Sequence, residues 1–247
     1  MGSRLQIIIP CYNEANRLTA EPFLQAIATT PDLALLFVDD GSIDETADVL
    51  ARLVALGGGR ISVVTLPRNG GKSQAVRQGV IAAFERQPDV VGYWDADLST
   101  PLSAIRDLLN VMETHPEVDI VMGSRVKLLG RHITRSAFRH YTGRLFATVT
   151  AFLLRMAVYD TQCGAKLFRV NDQVRRAFAE PFRSRWIVDV EILARYIALK
   201  GVTSAASSIC EVPLQTWTEK PGSKLRMRHA FRAMWDLVRV PRPRSGS

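Results

Sequence analysis

The order of apolar and polar positions along the chain sets out strands alternating with helices. Residues 4–9 form an apolar run closed by Pro10, and further runs follow at Leu33–Val38, Ile61–Leu66, Val90–Trp94 and Val118–Met122. Between them lie helix-length stretches: from the turn at Cys11-Tyr12-Asn13-Glu14 to about Thr30, then Glu45–Leu56, Ser73–Arg86 and Pro101–His115. Asp44, Glu45 and Thr46 head the second helix with capping chemistry, and Gly57-Gly58-Gly59 ends it. Such alternation predicts an α/β fold, a mostly parallel sheet with right-handed crossovers and helices on its faces. The short uninterrupted apolar strands agree with burial on both sides.

Parallel strands bring their carboxyl ends to one edge, where ligands of open α/β sheets bind. That edge collects Tyr12-Asn13-Glu14, Asp39-Asp40-Gly41-Ser42, Asn69-Gly70-Gly71-Lys72, Asp95-Ala96-Asp97 and Gly123-Ser124-Arg125. One polar cluster is noise, but five on one edge predict a site. Asp95 and Asp97 are spaced i, i+2, so in extended backbone they point the same way and can face one cation. Mg²⁺ and Mn²⁺ take oxygen ligands, and Mg²⁺ is commonly held by one or two carboxylates plus substrate phosphates. The competing reading is a pair of solvated loop acids, or a helix cap ahead of Pro101. The glycine turns let backbone approach a phosphate. Lys72 reads either as a phosphate or nucleotide contact or as an exposed lysine at a helix start. No GxGxxG follows the first strand and no GxxxxGK[ST] occurs, so dinucleotide and P-loop readings lack their fingerprints.

At 247 residues and 47% hydrophobic content, the chain suits one compact domain with an appendage. Cys11, Cys163 and Cys210 are widely spaced, which argues for reduced thiols and against structural zinc. The net charge of +8 is unevenly placed, with eight Lys or Arg against the single acid Asp236 between Lys220 and Arg244. That confinement points to an anionic partner or surface. No signal peptide or membrane-spanning run is evident, and Gln6 stands where a myristoylation signal needs Ser or Thr.

Three motifs, Pro10-Cys11-Tyr12-Asn13-Glu14, Val38-Asp39-Asp40-Gly41-Ser42 and Asp95-Ala96-Asp97, resemble the nucleotide-sugar half of an inverting family 2 glycosyltransferase with the GT-A fold. Segments 160–168, 185–191, 211–214 and 222–224 are similar to dolichyl-phosphate glucosyltransferases and prokaryotic polyprenyl-phosphate relatives. The resemblance runs from about Ile7 to Leu225. Ala165 departs from it, standing where that subgroup usually has Phe. The resemblance implies that Pro10, Tyr12, Asn13, Glu14, Asp39, Asp40, Gly41 and Ser42 line the base and ribose pocket of a UDP-sugar. It implies that Asp97, assisted by Asp95 across Ala96, holds Mg²⁺ or Mn²⁺ against the diphosphate. Asp160 and Gln162 would bond sugar hydroxyls, and Asp189 or Glu191 would serve the sugar pocket or the acceptor. Arg125, Arg135, Ser136 and Lys224 would contact an acceptor phosphate. A phosphate acceptor is mostly dianionic at neutral pH and needs positive charge more than a general base, and an arginine fork suits it.

Residues 136–159 carry an apolar stripe through Phe138, Tyr141, Leu145, Val149, Phe152 and Met156, interrupted by Arg139, His140, Arg144 and Arg155. This predicts an amphipathic helix that covers the sheet, lies in a membrane interface, or divides itself between the two. The catalytic domain is drawn at 1–224. Residues 225–247 form a basic appendage, with Phe231, Met234, Trp235 and Val238 on a membrane-surface helix. The resulting expectation is transfer of a hexose, glucose first, from a UDP-sugar to a polyprenyl or dolichyl phosphate. The enzyme would be attached peripherally to the cytoplasmic face of a membrane. Rival readings are a family 2 enzyme acting on a sugar hydroxyl, with Asp160, Asp189 or Glu191 as base, and a non-catalytic sugar-nucleotide-binding subunit. No nucleic acid is expected, since no recognised module accompanies the charge.

Overall fold

The computed structural model describes residues 4–134 and 137–220. Arg135, Ser136, Lys224 and the basic appendage 225–247 lie outside the described residues. The five anticipated strands are β1 (Leu5–Cys11), β2 (Leu33–Asp39), β3 (Ile61–Thr65), β4 (Val90–Trp94) and β5 (Ile120–Ser124). The helices among them are α1 (Glu21–Thr29), α2 (Thr46–Leu56), α3 (Lys72–Phe84) and α4 (Ala104–Thr114). After β5 come a short strand β6 (His132–Thr134) and the long helix α5 (Ala137–Leu154). Then follow β7 (Ala165–Arg169), α6 (Asp172–Ala179), α7 (Val188–Lys200), α8 (Val202–Ala206), β8 (Ile209–Pro213) and β9 (Thr216–Thr218).

Among the described residues seven strands make one sheet in the order β3-β2-β1-β4-β7-β5-β8. All its pairings are parallel except those of β7, which runs antiparallel between β4 and β5. Strands β6 and β9 pair separately. Alternate residues of β1 serve opposite faces: Ile7 and Ile9 pack in the core beneath α1 and α4, Ile8 in the core beneath α3 and α7.

The first helix starts later than the apolar pattern suggests. Asn13 adopts φ 50°, and its backbone N–H and side-chain carbonyl bond Ser42 Oγ and the Ile43 N–H, both at 2.9 Å. The segment after β1 is thereby tied to the loop after β2, and helix begins only at Glu21 with Pro22 in its first turn.

The predicted stripe on α5 is only partly used in covering the sheet. Val149 and Met156 pack toward the core under α7, with Phe146 and Leu153. Tyr141, Leu145 and Phe152 stand 73%, 62% and 84% exposed. Among the described residues no helix is long and apolar enough to cross a membrane.

Candidate active site at the strand ends

The carboxyl ends of β1 to β4 meet as the sequence anticipates, but the nucleotide-side residues are tied to one another first. Asp40 N–H donates to the Cys11 carbonyl at 2.8 Å, joining the loops after β1 and β2. Asp39 Oδ1 accepts from the Ser42 N–H at 3.0 Å and closes the turn through Gly41. Glu14 is buried and forms a two-pronged ion pair with Arg17, at 2.7 and 2.6 Å. Pro10 and Tyr12 remain partly exposed at the same edge.

The buried carboxylate of Asp40 accepts the Gly70 and Gly71 N–H groups, both at 2.8 Å. Burial pushes its pKa up, and the two amides pull against that shift. Gly71 has φ 92°, and a Cβ there would meet the Arg185 carbonyl at 2.9 Å, so only glycine fits this turn. The Ser73 N–H bonds that same carbonyl at 3.0 Å. The expected approach of glycine-turn backbone to a phosphate is therefore corrected. These donors are committed inside the protein, and the group the turn presents is the side chain of Lys72.

Lys72 Nζ lies 2.6 Å from Asp95 Oδ1 and 5.7 Å from the centroid of the Tyr93 ring. Burial lowers its pKa, but Asp95, Asp189 and Asp97 together hold it above the ordinary lysine value. Asp95 is raised by desolvation and by the like charge of Asp97, against the pull of Lys72. Asp97 Oδ1 accepts the Ser99 N–H at 2.9 Å. Both acids retain solvent access, with the Asp95 side chain 38% exposed. Gly164 lies against Asp95: its carbonyl accepts the Asp95 N–H at 2.9 Å, and a Cβ on it would sit 1.8 Å from Asp95 Oδ2. Two hard oxygen ligands beside an open edge fit Mg²⁺ or Mn²⁺ carried by a diphosphate, and they are too few to cage a metal alone. Among the described residues no group of three or more His, Cys, Asp or Glu could hold a metal.

The residues assigned to sugar and acceptor are brought close, yet partnered differently from expectation. Arg125 donates through Nε and Nη2 to the two oxygens of Asp160, 2.7 Å each, and its guanidinium lies 5.3 Å from the Trp217 ring centroid. Burial alone would raise Asp160; the charge and hydrogen bonds of Arg125 outweigh it and hold the carboxyl well below the usual range. Glu211, a residue of the 211–214 segment with no role assigned from sequence, accepts the Tyr159 and Asp160 N–H groups at 2.7 Å each.

Asp189 is buried. Its Oδ1 accepts from Lys166 Nζ and from the Tyr93 hydroxyl, each at 2.5 Å. Burial works to raise its pKa, but Lys166, Lys72 and the Tyr93 hydroxyl lower it. Glu191 is fully buried and holds the Arg183 and Ser184 N–H groups and Arg195 Nη2, the last at 2.7 Å. The expectation that Glu191 serves sugar or acceptor is corrected, because its carboxylate is sequestered in fixing the loop before α7. Buried Ser124 Oγ, Thr161 Oγ1 and Gln162 Nε2, in contrast, have no hydrogen-bond partner among the described residues. Such orphaned groups are uncommon in native proteins and call for a ligand or water.

A sequence profile described as "Glycosyl transferase family 2" matches residues 6–172. The chain belongs to glycosyl transferase family 2. Mouse dolichyl-phosphate beta-glucosyltransferase is 35% identical over 236 residues, covering 90% of this chain and 69% of that protein. The undecaprenyl-phosphate 4-deoxy-4-formamido-L-arabinose transferase of Pseudomonas fluorescens is 32% identical over 170 residues, covering 67% of this chain and 46% of that protein. A crystal structure of glucosyl-3-phosphoglycerate synthase from Mycobacterium tuberculosis with Mn²⁺, uridine diphosphate and glucosyl-3-phosphoglycerate matches with a TM-score of 0.67 at 18% identity. It covers 99% of this chain and 82% of that one, a likeness of fold alone.

For this family 2 chain, sequence reasoning passed over Lys166, Tyr93, Gly164 and Arg17. Lys166 is 0% exposed and donates to the Thr161 and Cys163 carbonyls, at 2.9 and 2.5 Å, as well as to Asp189. A lysine inside the apolar strand Ala-Lys-Leu-Phe was the available signal, since a buried charge demands a partner. Cys163 is no nucleophile: burial pushes its thiol up to about 11.

Proposed function

We propose that this chain transfers a hexose, glucose in the first instance, from a UDP-sugar to the phosphate of a polyprenyl or dolichyl phosphate at a membrane surface. The observation that carries this reading is the state of the three carboxylates that a hydroxyl acceptor would have to use as general base. Asp160 is paired with Arg125, Asp189 with Lys166 and Glu191 with Arg195. A hydroxyl acceptor must lose its proton in the transition state and needs such a base. A phosphate monoester is already dianionic and attacks without one. The relatives named for dolichyl and undecaprenyl phosphate support the same acceptor class.

In this reading Asp95 and Asp97 would hold Mg²⁺ or Mn²⁺, which would supply positive charge for the diphosphate leaving group. Lys72 adds a second positive charge on the same side. Tyr12 and the linked loops after β1 and β2 receive the base and ribose. Ser124, Thr161 and Gln162 offer their unpartnered groups to sugar hydroxyls. Arg125, Arg135, Ser136 and Lys224 remain the proposed acceptor contacts, the last three from outside the described residues. The exposed Tyr141, Leu145 and Phe152 of α5, with the basic appendage, would rest on anionic lipid.

The deciding experiment supplies UDP- and GDP-sugars, Mg²⁺ or Mn²⁺, and a short-chain polyprenyl phosphate beside the matching polyprenol, with products identified by mass. A lipid-linked phosphosugar from the phosphate alone, abolished by Asp97→Ala, is expected. Glycosylation of the polyprenol or of a sugar hydroxyl would overturn the phosphate acceptor. Donor binding with neither transfer nor hydrolysis would make the chain a binding subunit.

A further inference from the structure

The inference rests on the donor-site reading above and concerns the order in which that site fills. In that reading Asp95 and Asp97 are the two carboxylates that would hold the cation, and Lys72 Nζ already lies 2.6 Å from Asp95 Oδ1. The contact is built into the fold. Lys72 is the first residue of α3, launched from the turn that Asp40 grips through both its oxygens. Arg185 donates from Nη2 to Asn69 Oδ1 at 2.7 Å and fixes the other side of that turn. The Tyr93 ring lies beneath the ammonium.

A hard divalent cation approaching the donor-free protein therefore meets one carboxylate bonded to an ammonium and another accepting the Ser99 N–H. Mg²⁺ demands near-octahedral oxygen coordination and sheds its waters reluctantly. A diphosphate brings both missing features: additional oxygen ligands, and negative charge to which a lysine of several rotatable bonds can swing.

We propose that Lys72 is a resident counter-ion that occupies Asp95 until a nucleoside diphosphate arrives, so that the divalent cation and the donor bind as a coupled pair. Linkage makes this coupling reciprocal: what the nucleotide does for the cation, the cation does for the nucleotide. The lysine also keeps the acid pair from collecting cations when no donor is present.

The test titrates Mn²⁺ by electron paramagnetic resonance into the full chain, as wild type, Lys72→Met and Lys72→Gln, with and without UDP. The protein-free Mn²⁺–UDP curve serves as reference, and circular dichroism checks the fold of each variant. Wild type is expected to bind Mn²⁺ about 10-fold or more tightly with UDP than without it. Both Lys72 variants are expected to bind Mn²⁺ without UDP about 10-fold more tightly than wild type. Equal wild-type affinity with and without UDP overturns the proposal, whatever the variants do. So does a folded Lys72 variant with wild-type affinity for Mn²⁺ alone. A different result, no protein-bound Mn²⁺ even with UDP, would sink the donor-site reading itself.

Discussion

The guanidinium of Arg125 grips the carboxylate of Asp160 with two parallel hydrogen bonds of 2.7 Å, joining the end of β5 to the loop that precedes β7. The side chains are 13% and 8% exposed, so little water reaches either charge. Removing one partner of a buried pair leaves the other uncompensated, at about 3 kcal/mol or more. Arg125→Met and Asp160→Asn are each expected to destabilise by that amount in urea unfolding. The double variant should lose clearly less than the sum of the two, because the pair fails as a unit.

The same pair sets an acid limit on stability. A carboxylate held below its unfolded pKa contributes stability that is full above about pH 4 and is lost as pH falls toward the folded value. Asp160 and Asp189 are of this kind, while Asp40 and Asp95, raised by burial, act in the opposite sense and favour lower pH. Thermal melts of wild type are expected to fall steeply below about pH 4. The Arg125→Met/Asp160→Asn double variant should show a shallower acid limb. An identical acid limb would show that other groups set it.

Much of this was legible in the sequence, and the remainder was hidden for physical reasons. Val90–Trp94 was read to the residue because an unbroken apolar run ending in Asp-x-Asp has few other structures open to it. Strand β7 was not anticipated, because Lys166 and Arg169 break its apolar pattern and its partners β4 and β5 lie far off in sequence. The strand-end edge was legible from the clustering of polar residues. Pairing was not: no spacing rule says that Arg125 will meet Asp160, or that Asp189 will meet a lysine 23 positions upstream.

Lys166 gives the next prediction. It holds the carbonyls of Thr161 and Cys163 and neutralises Asp189 under the Tyr93 ring. Lys166→Met should cost about 3–5 kcal/mol, since it strands a buried carboxylate. Lys166→Met/Asp189→Asn should recover part of that stability without recovering transfer, because the 161–164 loop still lacks its anchor. Chemical denaturation with a transfer assay separates the two losses, and full recovery of transfer would reduce Lys166 to charge balance.

Gly164→Ala tests the close approach at the acid pair. The added methyl would lie 1.8 Å from Asp95 Oδ2, so the carboxylate must move away. UDP-linked Mn²⁺ binding is expected to weaken about 10-fold or more while the melting temperature changes little, a loss of roughly 1.4 kcal/mol at the site. Calorimetric titration of UDP with Mn²⁺ reads it directly.

The outer face of α5 bears on membrane contact. Leu145→Asp/Phe152→Asp removes two exposed apolar side chains and places negative charge toward anionic lipid. Sedimentation with anionic vesicles should show binding weakened about 10-fold or more. Transfer to a detergent-dispersed acceptor should be largely kept. Unchanged vesicle binding would leave attachment to other parts of the chain.

Strand β7 has a consequence for how the protein comes into being. Among the described residues it alone joins the leaf β3-β2-β1-β4 to the pair β5-β8 within the sheet, yet it lies in the last third of the chain. During synthesis the inner edge of β4 waits with unpaired amides and carbonyls until residue 169 has emerged, a condition that invites edge-to-edge association. Fragments ending before Ala165 should therefore aggregate even though they contain both Asp95 and Asp97. The acids of the site are made early, and the sheet that aims them closes late.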